Sequence, residues 1–473
     1  MSLWQRYRGG VIWRVIQLRQ NADQNYDAAT RVERVVTILL AITFIGANVY
    51  YFHRWAFRFS SANTSRTYTD TPDAWKLGKY VLMAMVIVGL WTWLVLRAGI
   101  GRQHLSRLLD RGVRWPLAFF LYAGTVTAMG LTQADEARQL LPWFFFLPVV
   151  LAIPVVWTGH PPFDVWRKFG IGLVAYHVMF LTLQVVGYFV FDKVPALSYR
   201  GGLLRFGGGL DDPNGFAMLV VLPLLLTVTL WRSFSRTLFA AAVAAIFLVM
   251  LVVPSSFSAL IGCVAGLASL AVIMRRPRIL LDVVVGVSVA VFTALLVPYV
   301  RDTLSRKSES ARGRFDFDGS GTGNGIGDYI SDLTVAGFLF GSPNSRLSSE
   351  NAYVLAFSAF GVIGLGLLLA AIAVAIRRGV LTARRARDAD ALTIARTYEA
   401  LSAYLVAFCV ASLGVPFFDV FPTNMAFWIV AAIAAAGPAI EFGDGDDDVD
   451  DSLESIPLSV DGPCADSDPA TSQ

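Results

Sequence analysis

Residues 351–378 read NAYVLAFSAFGVIGLGLLLAAIAVAIRR, with no charged side chain from Asn351 to Ile376 and then Arg377 and Arg378 together. A helix needs about 20 apolar residues to cross the roughly 30 Å core of a bilayer, so this run is long enough to span. Moving outward in both directions, the same pattern recurs. Twelve apolar runs lie near residues 35–52, 80–96, 115–131, 140–157, 169–191, 214–231, 237–253, 257–274, 279–300, 351–376, 400–415 and 422–440. Nearly every Lys, Arg, Asp and Glu falls between them. A backbone in lipid must satisfy its own hydrogen bonds, so the runs are read as helices. The expected fold class is an all-α integral membrane bundle of about 12 transmembrane helices.

Composition agrees with this reading. The chain is 55% hydrophobic and 16% charged, with a mean hydropathy of +0.57. Soluble domains carry about 25% charged residues. A net charge of +4 over 473 residues gives no reason to expect nucleic acid as a partner. The first thirty residues carry Arg6, Arg8, Arg14 and Arg19 but no apolar h-region before a small-residue site, so no cleavable leader is expected. Cys263 and Cys409 lie in apolar runs and Cys464 near the end of the chain. That scatter implies neither a disulfide framework nor a metal site, and no cofactor is expected.

Basic residues set the orientation. With the N-terminus inside, the inner segments hold 24 of the 39 Lys and Arg residues. Short inner connections such as Arg275-Arg276-Pro277-Arg278 are dense in Arg, whereas the outer turns near 254–256 and 416–421 have none. The positive-inside rule therefore predicts both termini in the cytoplasm and a multi-pass protein of the cytoplasmic membrane. Three parts follow. Residues 1–34 mix Trp4, Tyr7, Trp13, Ile16 and Leu18 with arginines, as an amphipathic segment on the inner membrane surface would. Residues 35–440 form the membrane domain. Residues 441–473 contain the acidic run Asp444 to Asp451 and no Lys or Arg, the composition of a solvated, disordered tail.

Two external segments stand out. The first is a large loop at 301–350, between the ninth and tenth helices, whose length of about 50 residues is itself a functional hint. It carries Arg301, Arg306, Lys307, Arg312, Arg314 and Arg346 on the face where basic residues are disfavoured. Ile326, Ile330 and Leu333 recur there at helical spacing, which predicts a short amphipathic helix on the outer surface. Residues Asp316 to Asn324 place oxygen side chains at alternate positions with Gly321 sixth, as in the first half of an EF-hand loop. Gly327 stands where the bidentate Glu belongs, so a solvated Gly-rich loop competes with calcium binding over 316–328.

The second segment is Tyr199-Arg200-Gly201-Gly202-Leu203-Leu204-Arg205-Phe206-Gly207-Gly208-Gly209-Leu210-Asp211-Asp212-Pro213-Asn214-Gly215. Asp212 and Pro213 suit the N-cap and first position of the next helix. Arg200 and Arg205 then stand near a helix N-terminus, where guanidinium, exposed N–H groups and the helix dipole together suit a phosphate. A flexible turn with solvated arginines is the plainer alternative. The spans themselves hold few ionisable groups, chiefly His177 and Asp282; His177 and Gln184 share a helix face. Those two fit either a polar contact between packed helices or a substrate-facing patch. The shortage of buried charge argues against a proton- or voltage-coupled transporter.

Taken in order, Arg205, Asp212-Pro213-Asn214, Gly313-Arg314, Glu350-Asn351-Ala352-Tyr353 and Gly361-Val362-Ile363-Gly364 form a pattern. Over roughly residues 195–375 the chain resembles the O-antigen polymerase and O-antigen ligase superfamily of multi-spanning glycosyltransferases. Two departures stand out. Ser255-Ser256-Phe257-Ser258 occupies a place where the family often has Ser-Arg, and Glu350 precedes Asn351 where ligases usually carry His. The second tilts the expectation toward a polymerase.

The resemblance implies catalysis at the external face, with a polyprenyl-diphosphate-linked oligosaccharide as donor and flippase and chain-length-regulator proteins as partners. Arg205 and Arg314 would balance the diphosphate charge, and Glu350 would take the proton of the acceptor hydroxyl. Arg200, Arg312, Asp212, Asn214, Asn351 and Tyr353 would line the substrate. Glu350 equally fits a carboxylate placed to favour a helix dipole. A polysaccharide exporter or flippase, and an inactive assembly partner, are the competing classes. A major-facilitator arrangement would put its main break between the sixth and seventh helices inside the cell. Here that connection runs only from Arg232 to Arg236.

Overall fold

The computed structural model describes residues 59–61, 81, 88, 113–130, 147, 175–187, 190, 193–195, 198–200, 203–205, 207, 213–230, 243, 246–247, 256–276, 333–341, 351–415, 417–418 and 423–437. The expected runs at 35–52, 80–96, 140–157, 237–253 and 279–300 fall almost wholly outside these residues, as do the N-terminal segment and the acidic tail.

Helices carry the described core. They are α1 (Arg114–Met129), α2 (Ala175–Gly187), α3 (Pro213–Thr229), α4 (Phe257–Ile273), α5 (Val335–Phe340), α6 (Ala352–Asp388), α7 (Leu392–Ala411) and α8 (Thr423–Ala436). Two of them, α6 and α7, are long and apolar enough to cross a membrane. Four short strands add two antiparallel ribbons: β1 (Phe59–Ser61) pairs with β2 (Lys193–Pro195), and β3 (Ser198–Arg200) with β4 (Leu203–Arg205). The all-helical expectation omitted these ribbons.

Local chemistry explains the helix starts. Pro213 opens α3 at a position where the missing N–H costs nothing. Ser256 caps α4 by accepting from Ala259 N at 3.4 Å. Asn351 caps α6 by accepting from Tyr353 N at 2.9 Å and Val354 N at 3.3 Å.

α7 is the central helix. It packs against α3, α4, α6 and α8, and its alanines make the close approaches possible. Gly262 and Gly266 of α4 form a GxxxG face against Ala403, Ala407 and Ala411. A Cβ on Gly262 would lie 2.6 Å from the Ala407 carbonyl oxygen. Small residues on both helices permit this close van der Waals packing. Aromatic rings fill the other seam: Phe120 lies 4.6 Å from Trp428, and Phe408 lies 4.4 Å from Phe427.

Two boundaries depart from the apolar runs. The run ends at Ile376, yet α6 continues to Asp388; the next run starts at 400, yet α7 starts at Leu392. Arg and Ala are good helix formers. Gly379, Thr382, Ala383 and Ala386 also form a buried stripe while Arg377, Arg384 and Arg385 point outward. Small residues, rather than hydropathy, hold this extension in place. At 37 residues, α6 is about 55 Å long, well beyond a bilayer core.

Candidate functional site

One end of the bundle gathers helix termini. α4, α6 and α8 run parallel to one another and antiparallel to α7, so three helix N-termini surround the C-terminus of α7. Ala352 N donates to the Ser412 carbonyl at 3.0 Å. The Tyr353 hydroxyl donates to the Cys409 carbonyl at 2.9 Å, and its ring lies 6.1 Å from Phe418. Asn424 Nδ2 donates to the Phe418 carbonyl at 3.1 Å. Gly414 approaches Ser258 of α4 so closely that a Cβ there would sit 2.6 Å from the serine hydroxyl.

This end holds buried polar groups. Ser412 Oγ, Thr423 Oγ1 and Asn424 Oδ1 are buried without a hydrogen-bond partner among the described residues. The helix N-termini add positive potential, while the first N–H groups of α4 and α6 are held by Ser256, Asn351 and the Ser412 carbonyl. No Lys, Arg or His side chain is described within this cluster.

The sequence candidates divide as follows. Asn351 and Tyr353 lie in the cluster, with Asn351 as helix cap and Tyr353 tying α6 to α7. Asn214 occupies the first turn of α3, half-buried. Asp212, Arg312, Arg314 and Glu350 lie outside the described residues, as does the 316–328 stretch.

For Arg200 and Arg205 the backbone is described, and it is a ribbon where a loop was expected. Arg200 pairs with Leu203 and Ser198 with Arg205, across the two-residue connection Gly201-Gly202. Side chains alternate along a strand. By this register, positions 200 and 205 are diagonal to one another across the ribbon. The missed signal was Gly-Gly between two short alternating stretches, a hairpin signature.

A second feature lies along α6. Gly361 interrupts the helix with φ 65° and ψ −170°, a conformation close to exclusive to glycine. Gly341, which ends α5, has φ 82° and ψ 179°. The two glycines interlock: a Cβ on Gly361 would collide with the Leu339 carbonyl and lie 2.6 Å from Gly341 N, and one on Gly341 would collide with Ala359 and Phe360. Gly361 is nine residues into α6, so α5 and Gly341 lie alongside the helix about 13 Å from its start. Phe338 meets Phe357 edge to face at 5.7 Å. The amphipathic helix expected from Ile326 to Leu333 falls outside the described residues except for Leu333, and the helix observed nearby begins at Val335.

The break is satisfied from α1. The Tyr122 hydroxyl donates to the Phe360 carbonyl at 3.0 Å. Gly364 leaves room for that ring, since a Cβ there would lie 2.9 Å from Tyr122 Cε1. The paired glycines at 361 and 364 thus have separate tasks, one conformational and one steric.

His177 and Gln184 share the buried stripe of α2 with Phe180 and Leu181. The His177 ring lies 5.3 Å from Phe216 of α3. At the opposite end of the bundle, Glu399 of α7 is 1% exposed and ion-paired with Arg387 of α6. This buried carboxylate was absent from the sequence candidates because it falls just before the apolar run. No protein-family model and no curated protein sequence matches this chain.

Proposed function

We propose that this chain is a polytopic membrane glycosyltransferase that extends or transfers a polyprenyl-diphosphate-linked glycan at the external face of the cytoplasmic membrane, with a polymerase favoured over a ligase. The observation that carries this reading is the β3–β4 register. It makes Arg200 and Arg205 diagonal positions of a ribbon that ends eight residues before Pro213 opens α3. Paired guanidinium groups recognise a diphosphate through bidentate forks.

Two further observations support the reading. In the twelve-run order, α3, α4, α6 and α8 are the sixth, eighth, tenth and twelfth spans, so their N-termini all face outward. The β1–β2 pairing joins the connection after the first run to that after the fifth, which this topology places on the same side.

In the proposed reaction, the acceptor hydroxyl oxygen attacks the anomeric carbon of the donor sugar. The bond from that carbon to the diphosphate oxygen breaks, and polyprenyl diphosphate leaves with the electron pair. The hydroxyl proton passes to Glu350. Arg205 and Arg314, with Arg200 and Arg312 beside them, balance the charge growing on the leaving group. The N-terminal ends of α3 and α6 add fixed positive potential.

A second reading, an exporter or flippase, draws on the break at Gly361 and the packing of α5 alongside α6. Interrupted helices at membrane depth occur where they are buried in protein or line a cavity, and transporters build substrate sites from them. Glycans in cells lacking the protein separate the readings. Single repeat units on the final carrier indicate a polymerase. Bare carrier with polymer held on polyprenyl diphosphate indicates a ligase. Unextended donor trapped on the inner leaflet indicates a transporter and refutes the proposal.

A further inference from the structure

The end of the bundle opposite the candidate site is lined with arginine. Arg275 and Arg276 follow α4 and are exposed; on α6, Arg377, Arg384 and Arg385 are exposed, and Arg378, Arg387 and Arg396 are partly covered. The described acidic groups at this end are Asp388 and Asp390 in the turn, and Glu399, which is ion-paired with Arg387.

α8 stops at this same end. Arg378 Nε donates to the Ala435 carbonyl at 2.6 Å, and a Cβ on Gly437 would meet Thr382 Oγ1 and Tyr398 Cε1 at 2.5 Å. Along α6, Arg384 to Arg387 lie only about 3–8 Å beyond Thr382. The chain beyond Gly437 contains no Lys or Arg, and six aspartates fall between Asp444 and Asp451. Six residues lie between Gly437 and Asp444, and the seven steps of chain reach up to about 25 Å.

We infer that the acidic run Asp444–Asp451 docks on this arginine-lined end, with Arg384 and Arg385 as its nearest partners, and covers those residues from other anions. The tether alone favours this occupant. A short linker holds its ligand at an effective concentration of about millimolar, whichever lipid surrounds the protein. Anionic headgroups are the competing occupant, since arginines just inside a membrane attract them. The inference rests on the charges and on the exit point of α8, and stands apart from the glycosyltransferase reading.

The test uses the full chain in nanodiscs of zwitterionic lipid. Ala389→Cys and Ser452→Cys carry spin labels in a background of Cys263→Ala, Cys409→Ala and Cys464→Ser, and electron–electron dipolar spectroscopy reads the distance. A narrow distribution is expected at 0.1 M salt. It should broaden at 1 M salt, where the screening length falls from about 10 Å to about 3 Å. Arg384→Gln with Arg385→Gln should broaden it at low salt. So should Asp446→Asn, Asp447→Asn and Asp448→Asn together, which leave the helices untouched. A broad distribution in every condition, or a narrow one indifferent to salt and to both sets of substitutions, overturns the docking. Release of the run by anionic lipid at low salt would assign the arginines to headgroups and also overturn it.

Discussion

Replacing Gly361 with alanine sets two physical effects against each other. If α6 were an ordinary helix, alanine would stabilise it by about 1 kcal/mol relative to glycine. At φ 65° and ψ −170° the cost runs the other way, because a non-glycine residue held there costs about 1–3 kcal/mol. A Cβ also has no room, since it would meet the Leu339 carbonyl and the Gly341 backbone. Those atoms belong to a packed glycine whose own conformation is constrained, so relief requires α5 to move away from α6. The net expectation is destabilisation by at least about 2 kcal/mol, with loss of the Tyr122–Phe360 hydrogen bond. Gly366→Ala is the internal control, because nothing lies within 4 Å of a Cβ there. It should be neutral or slightly stabilising. Unfolding free energies in bicelles, read by steric trapping, measure both variants. Gly361→Ala as stable as wild type, or more so, would show that α6 runs straight and that the interlock with α5 does not exist.

Two further outcomes follow from the same structure. Arg387→Gln leaves Glu399 buried and unpaired, an arrangement that costs about 3–5 kcal/mol when both charges are deeply buried; with Arg387 38% exposed, the lower end applies. Adding Glu399→Gln should recover much of the loss in the same unfolding assay, and equal losses in the single and double variants would refute the pairing. For orientation, Ser320→Cys and Ser452→Cys, each alone in a background without native cysteines, should behave oppositely toward an impermeant thiol reagent on intact cells. Position 320 should label and position 452 should not; labelling at 452 would reverse the topology.

The sequence was most legible where one residue decides a local outcome. Pro213 opens a helix where one was expected, because its preference acts within a single turn, whereas Asn351, expected to line the substrate, caps α6. The starts of α1, α3, α4 and α8 sit within a residue or so of the apolar runs. Elsewhere hydropathy was the wrong gauge. It stopped at Arg377, although the Gly379, Thr382, Ala383 and Ala386 stripe keeps the helix packed for three further turns. Gly262 and Gly266 of α4 were not read as a packing face, because what makes them one is tertiary contact with Ala403, Ala407 and Ala411. The same holds at Gly361: three glycines stand at 361, 364 and 366, and only the meeting with Gly341 and Tyr122 decides which one breaks the helix. The candidate site divides likewise. Its caps, Ser256 and Asn351, act within one turn yet were not read as caps, and the gathering of α4, α6 and α8 around Ser412 depends on residues far apart in the chain.

The most direct test of the central claim is turnover by the purified chain. Reconstituted in nanodiscs with a polyprenyl-diphosphate-linked oligosaccharide repeat, it should consume the donor, build longer glycans and release polyprenyl diphosphate. Arg205→Lys and Arg314→Lys should each lower the rate by about 10²–10³-fold, the scale of one lost charged contact at a transition state. Arg66→Lys, between the first and second apolar runs, should leave the rate unchanged. Donor left intact by the wild-type chain, or near-normal rates from both site variants, would contradict the account.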